Sequence, residues 1–265
     1  MTAVLQEPAS PWLVGGAKDP GRVRMRLFCF HYAGATASIF RSWQDALPET
    51  VEVLAVQLPG REYRFSEPLL TDSKQIAAAL VEDMLPLLGK PFVFFGHSMG
   101  VLIGFDVIQI LRARGLPQPE LLIASGRNAP PFRWRDAGLQ TLPDDEFIAT
   151  VRDYSGTPES LLAEESLREL WLPRLRADLT VSALYEYAEQ RPLECPIVVL
   201  IGEKDDLVTE AGLQGWLTET TGGVQFFHYP GNHFFLHSVE ELVLAKVRTE
   251  LEEQLARQKH SRRQA

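Results

Sequence analysis

The 265-residue sequence predicts an α/β fold, a mostly parallel sheet with helices on both faces. Two patterns predict it. Short apolar runs recur along the chain, and most lead through a loop into helical spacing, which is the repeating unit of a parallel sheet. The runs are continuously apolar, not alternating, as strands covered on both faces must be. A hydrophobic fraction of 45% against a charged fraction of 23% is that of a globule able to bury a full core. One domain over residues 21–256 is therefore expected, with a loose Pro- and Gly-rich leader over 1–20 and a basic tail over 257–265.

Order is expected to begin at Arg24, with a strand to Phe30 that stops at the small-residue loop His31 to Thr36. A helical segment from Ser38 to Ala46 follows, then a second strand, Val51–Val56, closed by the loop Gln57 to Glu62. Thr71, Asp72 and Ser73 cap an amphipathic helix to about Leu88, its apolar face being Ile76, Leu80, Met84 and Leu87. Pro86 kinks or ends that helix. Phe92 to His97 is a strand, and Val101, Leu102, Phe105, Ile108 and Leu111 continue it as a helix that Gly115 and Pro117 stop. Leu121 to Ser125 is the next strand.

Between about 128 and 191 the alternation breaks. Three helical patterns follow one another there, Asp144 to Tyr154, Ser160 to Arg176 and Leu179 to Gln190, and read as an insertion above the sheet. Pro196 to Ile201 resumes the strands, Ala211 to Thr220 is helical, Val224 to Tyr229 is the last strand, and a closing helix runs from Ser238 to Ala256.

A net charge of −9 argues against nonspecific nucleic-acid binding, which needs clustered Lys and Arg. The first twenty residues lack the apolar core of a secretory signal, and no apolar stretch reaches spanning length. Cys29 and Cys195 sit beside apolar runs and read as buried thiols, so a cytoplasmic protein is expected.

The chemistry centres on Gly96-His97-Ser98-Met99-Gly100, between a strand and a helix. A Gly-x-Ser-x-Gly in that setting is a nucleophile elbow, a sharp turn that exposes the serine hydroxyl. A serine becomes nucleophilic only when a base takes its proton and an acid orients that base. Asp205 and Asp206 follow the strand ending at Ile201, and His233 follows the strand ending at Tyr229, so acid and base fall at the same sheet edge as Ser98. Asp205 is preferred because it closes the turn nearer its strand. His97, inside the elbow, cannot swing back onto Ser98 and packs or lines the pocket; His31 lines the site; His228, His237 and His260 read as structural. The order Ser, Asp, His is that of α/β-hydrolases. One oxyanion donor is then the backbone N–H of Met99, and the loop Ala33-Gly34-Ala35 suits the second.

With these residues in place the chain, from about Arg24 to Leu251, resembles the type II thioesterases that accompany polyketide and nonribosomal peptide synthases, relatives of the medium-chain acyl releasing enzyme of fatty-acid synthesis. The resemblance rests on Phe40 to Trp43, Gln57-Leu58-Pro59-Gly60-Arg61-Glu62, Phe94 to Gly100, Ser155 to Glu159, Leu175-Arg176-Ala177-Asp178-Leu179 and Gly231 to Phe234. It implies an α/β-hydrolase fold with the helical insertion as a lid, Ser98 as nucleophile, Asp205 as acid, His233 as base, and Ala33 with Met99 as oxyanion donors. It also implies an acyl thioester on the phosphopantetheine arm of a carrier protein as substrate and partner. Apart from the resemblance, no cofactor or metal is expected, and a monomer is the default expectation for an oligomeric state that the sequence does not give. The family's Pro-His-Ala-Gly-Gly is here His31-Tyr32-Ala33-Gly34-Ala35, and the usual second glycine before the base is Asn232. Phe132, Trp134, Phe147, Leu161, Leu162 and Trp171 are the candidates to wall an acyl chamber, with holding the lid helices to the core as the alternative for most of them. An acyl-CoA or carboxylester hydrolase, a chain-releasing thioesterase and a non-catalytic adaptor docked on a synthase are the rival readings.

Overall fold

Seven strands make one sheet in the computed structural model, which describes residues 10–17, 19–133, 138–153 and 164–264, with side chains through 258. They are β1 (Leu13–Gly15), β2 (Met25–Phe30), β3 (Val51–Val56), β4 (Phe92–His97), β5 (Leu121–Ser125), β6 (Ile197–Gly202) and β7 (Val224–Tyr229). The order across the sheet is β1-β3-β2-β4-β5-β6-β7; all neighbours pair in parallel except β1, which runs antiparallel to β3. From β2 the chain steps outward to β3 and then returns to the other side of β2 as β4. The sheet therefore reverses direction between β2 and β4, where open parallel sheets build their sites at the carboxyl ends of the strands. This is the α/β-hydrolase arrangement.

The period-two alternation of the strands explains why they read as continuously apolar. On one face Phe28, Phe30 and Phe94 pack with α2 (Ser73–Met84) and α3 (Met99–Ala113); on the other Leu27, Cys29 and Phe95 pack with Trp43 and the last helix through Val243, Val247 and Leu251. Aromatic edges interlock both layers, with Phe28 and Phe94 5.8 Å apart and Trp43 and Phe95 4.7 Å apart between ring centres. Helix α2 starts where the sequence says: the Asp72 carboxylate accepts the N–H groups of Lys74 and Gln75 at 2.7 and 3.1 Å. It ends in a tighter 3₁₀ turn, Leu85–Leu87, around Pro86.

The structure differs from the expectation at five places. The leader contributes edge strand β1, and Trp12 is buried with the Arg64 guanidinium 4.2 Å above its ring, so order precedes Arg24. The segment expected as one helix from Ser38 is a 3₁₀ turn, Ala37–Phe40, followed by the single-turn α1 (Trp43–Ala46). Between β5 and β6 the described residues hold α4 (Asp144–Asp153) and one 19-residue helix, α5 (Glu165–Ala183), where two were expected over Ser160 to Gln190, residues 160–163 lying outside the described ones. Its buried Leu172, Leu175 and Leu179 form one unbroken stripe, and packing of that stripe outweighs the backbone bond lost at Pro173. Past α5 the chain is irregular to β6. The helix expected from Ala211 to Thr220 is two short ones, α6 (Glu210–Gln214) and α7 (Trp216–Glu219), and α8 (Phe235–Ser238) precedes α9 (Glu240–Gln264), which carries the basic segment expected as a tail. Among the described residues no helix is long and apolar enough to cross a membrane, and no three or more His, Cys, Asp and Glu side chains are grouped to hold a metal ion.

Candidate active site

Ser98 sits between β4 and α3 with φ +52°, a left-handed conformation that costs a non-glycine residue about 1–3 kcal/mol. The turn is held from both sides. Ser98 N–H donates to the Ser125 carbonyl at 2.8 Å, tying the elbow to β5. A Cβ at Gly100 would lie 2.2 Å from the Phe30 carbonyl oxygen and one at Gly96 2.7 Å from Val101 N, so both flanking positions exclude any side chain. The hydroxyl-bearing residue stays half-buried while every other residue of the turn is buried. Met99 opens α3, so its N–H is one of the first-turn donors that no helical carbonyl can satisfy.

Asp205 and His233 are brought together by two loops that interlock past β6 and β7. Glu203 and Lys204 N–H groups donate to the carbonyls of Tyr229 and Gly231, both at 2.9 Å, and Gly202 gives the second loop room, since a Cβ there would meet Asn232 O at 2.4 Å. The Asp205 carboxylate, with no exposed side-chain surface, accepts Leu207 N–H at 3.0 Å on Oδ1 and His233 Nδ1–H at 2.8 Å on Oδ2. Asp206 is exposed. With Nδ1 committed, Nε2 is the nitrogen left for proton transfer, and His233 and Ser98 line one small pocket with Arg127, Asn128, Phe132 and Leu207. Gly126, at φ +61°, floors it: a Cβ there would stand 2.9 Å from His97 and 3.3 Å from His233.

The other histidines divide cleanly. His97 is buried, pairs Nδ1 with Ser125 Oγ at 2.8 Å, and is held well below the usual imidazole range by burial, then by the neighbouring His233 and His237. His237 is exposed and shares a 2.8 Å hydrogen bond through Nε2 with the Tyr32 hydroxyl, joining the loop after β2 to α8. His228 is exposed, and the side chain of His260 lies outside the described residues.

The loop after β2, which carries Ala33, is the most heavily braced segment of the site. Gln57 Oε1 accepts Ala37 N–H at 2.8 Å, and Glu62, itself at φ +47°, accepts the hydroxyls of Thr36 and Ser38. Arg61 donates a fork of 2.7 and 2.8 Å to the Asp178 carboxylate and a third bond of 3.1 Å to the Ala35 carbonyl. Asp178, on α5 and fully enclosed, accepts Gly34 N–H at 2.7 Å. Gly34 has φ +81°, and a Cβ on it would meet Leu175 and Trp171 at 3.0 and 3.4 Å, so α5 lies directly on this loop.

Of the residues expected to wall a chamber, Phe132 lines the Ser98 pocket, Trp171 faces Gly34, and Phe147 is wholly buried in the packing of α4 against α5. Trp134, Leu161 and Leu162, and the motif Ser155 to Glu159, lie outside the described residues. Sequence reasoning missed the buried Arg61–Asp178 pair. Both charged residues stand in motifs that carried the resemblance, but nothing in a linear sequence joins positions so far apart.

Residues 25–251 match the thioesterase domain family. The chain is 40% identical over 249 residues to a protein of Brevibacillus parabrevis named linear gramicidin dehydrogenase LgrE, covering 93% of this chain and 94% of that one. Among solved structures it is similar to the RedJ thioesterase of the prodiginine pathway in Streptomyces coelicolor, with 35% identity, a TM-score of 0.83 and coverage of 93% and 96%. The type II thioesterase BorB of the borrelidin biosynthetic cluster is similar at 27% identity and a TM-score of 0.81, over 93% of this chain and 98% of that one. The chain, with its glycine-flanked serine at the sheet's reversal point and its paired aspartate and histidine beside it, belongs to the thioesterase domain family.

Proposed function

We propose that this protein is a serine thioesterase that hydrolyses acyl groups from the phosphopantetheine arm of carrier proteins, clearing stalled or wrongly primed units from a polyketide or nonribosomal peptide synthase. One observation carries the reading: a strained serine on a glycine-walled elbow shares its pocket with a histidine whose other nitrogen is held by a buried carboxylate. In this reading Ser98 Oγ attacks the thioester carbonyl as His233 Nε2 takes its proton, and Asp205 holds the tautomer and stabilises the imidazolium. The N–H groups of Met99 and Ala33 receive the oxyanion. Collapse breaks the C–S bond, and the leaving thiolate takes the proton from His233. Water, deprotonated by the same imidazole, then attacks the acyl-serine and releases the carboxylic acid and the serine hydroxyl.

The name of the gramicidin relative suggests hydride chemistry, yet the dinucleotide fingerprint Gly-x-Gly-x-x-Gly has no counterpart here, because no two glycines in this sequence stand two apart. The decisive experiment is Ser98→Ala assayed on an acylated carrier protein: folding is retained and turnover is lost. An unchanged rate removes the mechanism. A fluorophosphonate that leaves Ser98 unlabelled favours an adaptor. Equal rates on an acyl carrier and on the same acyl group carried by a small thiol remove carrier recognition, and oxygen against sulfur esters of one chain tests the carboxylesterase alternative.

A further inference from the structure

The Tyr32–Ala33 peptide is the unit whose N–H the proposed mechanism aims at the oxyanion. In a planar trans peptide the carbonyl and the N–H point in opposite directions, so whatever holds Tyr32 O also sets where Ala33 N–H points. Two donors hold it. Ala35 N–H reaches it at 3.2 Å, closing a turn, and His31 Nδ1 reaches it at 2.8 Å. A carbonyl only accepts, so His31 carries its proton on Nδ1, and its Nε2 is buried without a partner. Peptide units further along the loop are held as well. Gly34 N–H is taken by Asp178 and Ala35 O by Arg61, and those two side chains are forked to one another inside the protein. The peptide that follows the donor and the one two further along are thereby fixed by side chains, the first of them from α5.

We infer that His31, Arg61 and Asp178 are positioning residues that aim the Ala33 N–H, with Asp178 coupling α5 to the oxyanion site. The inference rests on the reading of Ala33 as an oxyanion donor. It gives the loop Gln57 to Glu62 and the segment Leu175 to Leu179 a shared task, since Arg61 comes from the first and Asp178 from the second. It also gives a task to His31, which stands where the resembling family has proline.

The test compares the parent with His31→Phe and Asp178→Asn on an acylated carrier protein, alongside binding of a trifluoromethyl ketone of the same acyl chain, whose serine adduct is a tetrahedral oxyanion. Phenylalanine keeps the ring and removes the Nδ1 donor together with the unpartnered Nε2, so His31→Phe folds and carries the test even where Asp178→Asn is destabilised. A misaimed donor loses part of the roughly 10²–10³ in kcat that a deleted one loses. His31→Phe is therefore expected to lower kcat about tenfold with KM within about twofold, and to weaken the ketone by the same factor as kcat/KM. A folded His31→Phe with kcat and ketone affinity within about twofold of the parent overturns the inference, and so does a fall in kcat with ketone affinity unchanged. Ser98→Ala separates the two levels: if it abolishes turnover while His31→Phe is silent, only the positioning role fails; if Ser98→Ala is active, the underlying reading fails too.

Discussion

His31 makes the stability of this protein sensitive to mild acid, and by a calculable amount. Its ring is 2% exposed, and burial, with the Arg61 charge nearby, lowers its pKa from 6.5 to about 4 despite the opposing charges of Asp178 and Glu62. The unfolded chain therefore binds a proton below about pH 6.5 that the folded chain does not take up until about pH 4. Stability rises with pH wherever the unfolded state holds more protons, so the His31 contribution is intact above about pH 6.5 and is lost as pH falls toward 4. Each pH unit in that window is worth about 1.4 kcal/mol, giving a loss of about 2 kcal/mol by pH 5 and about 3 kcal/mol by pH 4. His31→Phe cannot take up the proton in either state. Urea denaturation of the two proteins at pH 7, 6, 5.5 and 5, as steps chosen across roughly that window, reads the difference in unfolding free energy, from which the other acid-sensitive groups cancel. Relative to the variant, the parent loses about 2 kcal/mol between pH 7 and 5. Parallel curves for the two proteins refute the reasoning, because they mean His31 is as easily protonated folded as unfolded.

Asp205→Asn keeps the shape of the carboxylate but offers His233 the wrong hydrogen-bonding choice, and on the proposed mechanism kcat is expected to fall by about 10⁴ with folding retained, read by steady-state turnover and circular dichroism. Gly100→Ala drives a methyl into the Phe30 carbonyl oxygen, 2.2 Å from the new atom, in backbone that α3 and β2 hold rigid; a loss of about 3 kcal/mol or more in urea denaturation is expected, and a silent substitution refutes the tight elbow. Arg61→Met and Asp178→Leu each strand a buried charge and are expected to cost about 3–5 kcal/mol apiece, whereas the double variant costs less than either single one. Additive losses in that cycle refute a direct pair.

Much of the site was legible in the linear order of residues. Glycines on both sides of Ser98 between an apolar run and a helical one announce an elbow, because only missing side chains let the two backbones meet. Asp205 and His233 were findable because parallel strands deliver their following loops to one edge. Asp72 announced the start of α2 for a similarly local reason: a carboxylate two and three residues before unpaired N–H groups caps them wherever the helix goes. The errors have a common cause. The pattern over 160–190 reads as two helices parted between Arg176 and Leu179, but a continuous leucine stripe against α4 keeps α5 whole across that point. The leader reads as loose by composition, but the open edge of β3 recruits Leu13 to Gly15.

What sequence alone determined about this protein is therefore whatever rests on local chemistry and the regular geometry of a parallel sheet: the six parallel strands, the elbow, and the delivery of Asp205 and His233 to the sheet edge where Ser98 stands. What only the tertiary structure decided is which distant groups meet. Arg61 and Asp178 lie on different elements, and neither announces the other; their bond exists because α5 packs across the loop after β2 and closes both charges away from water. His31 next to Tyr32 was visible from the start as a pair of neighbours. That its ring is enclosed, uncharged and turned onto the Tyr32 carbonyl depends on the burial that the completed fold imposes.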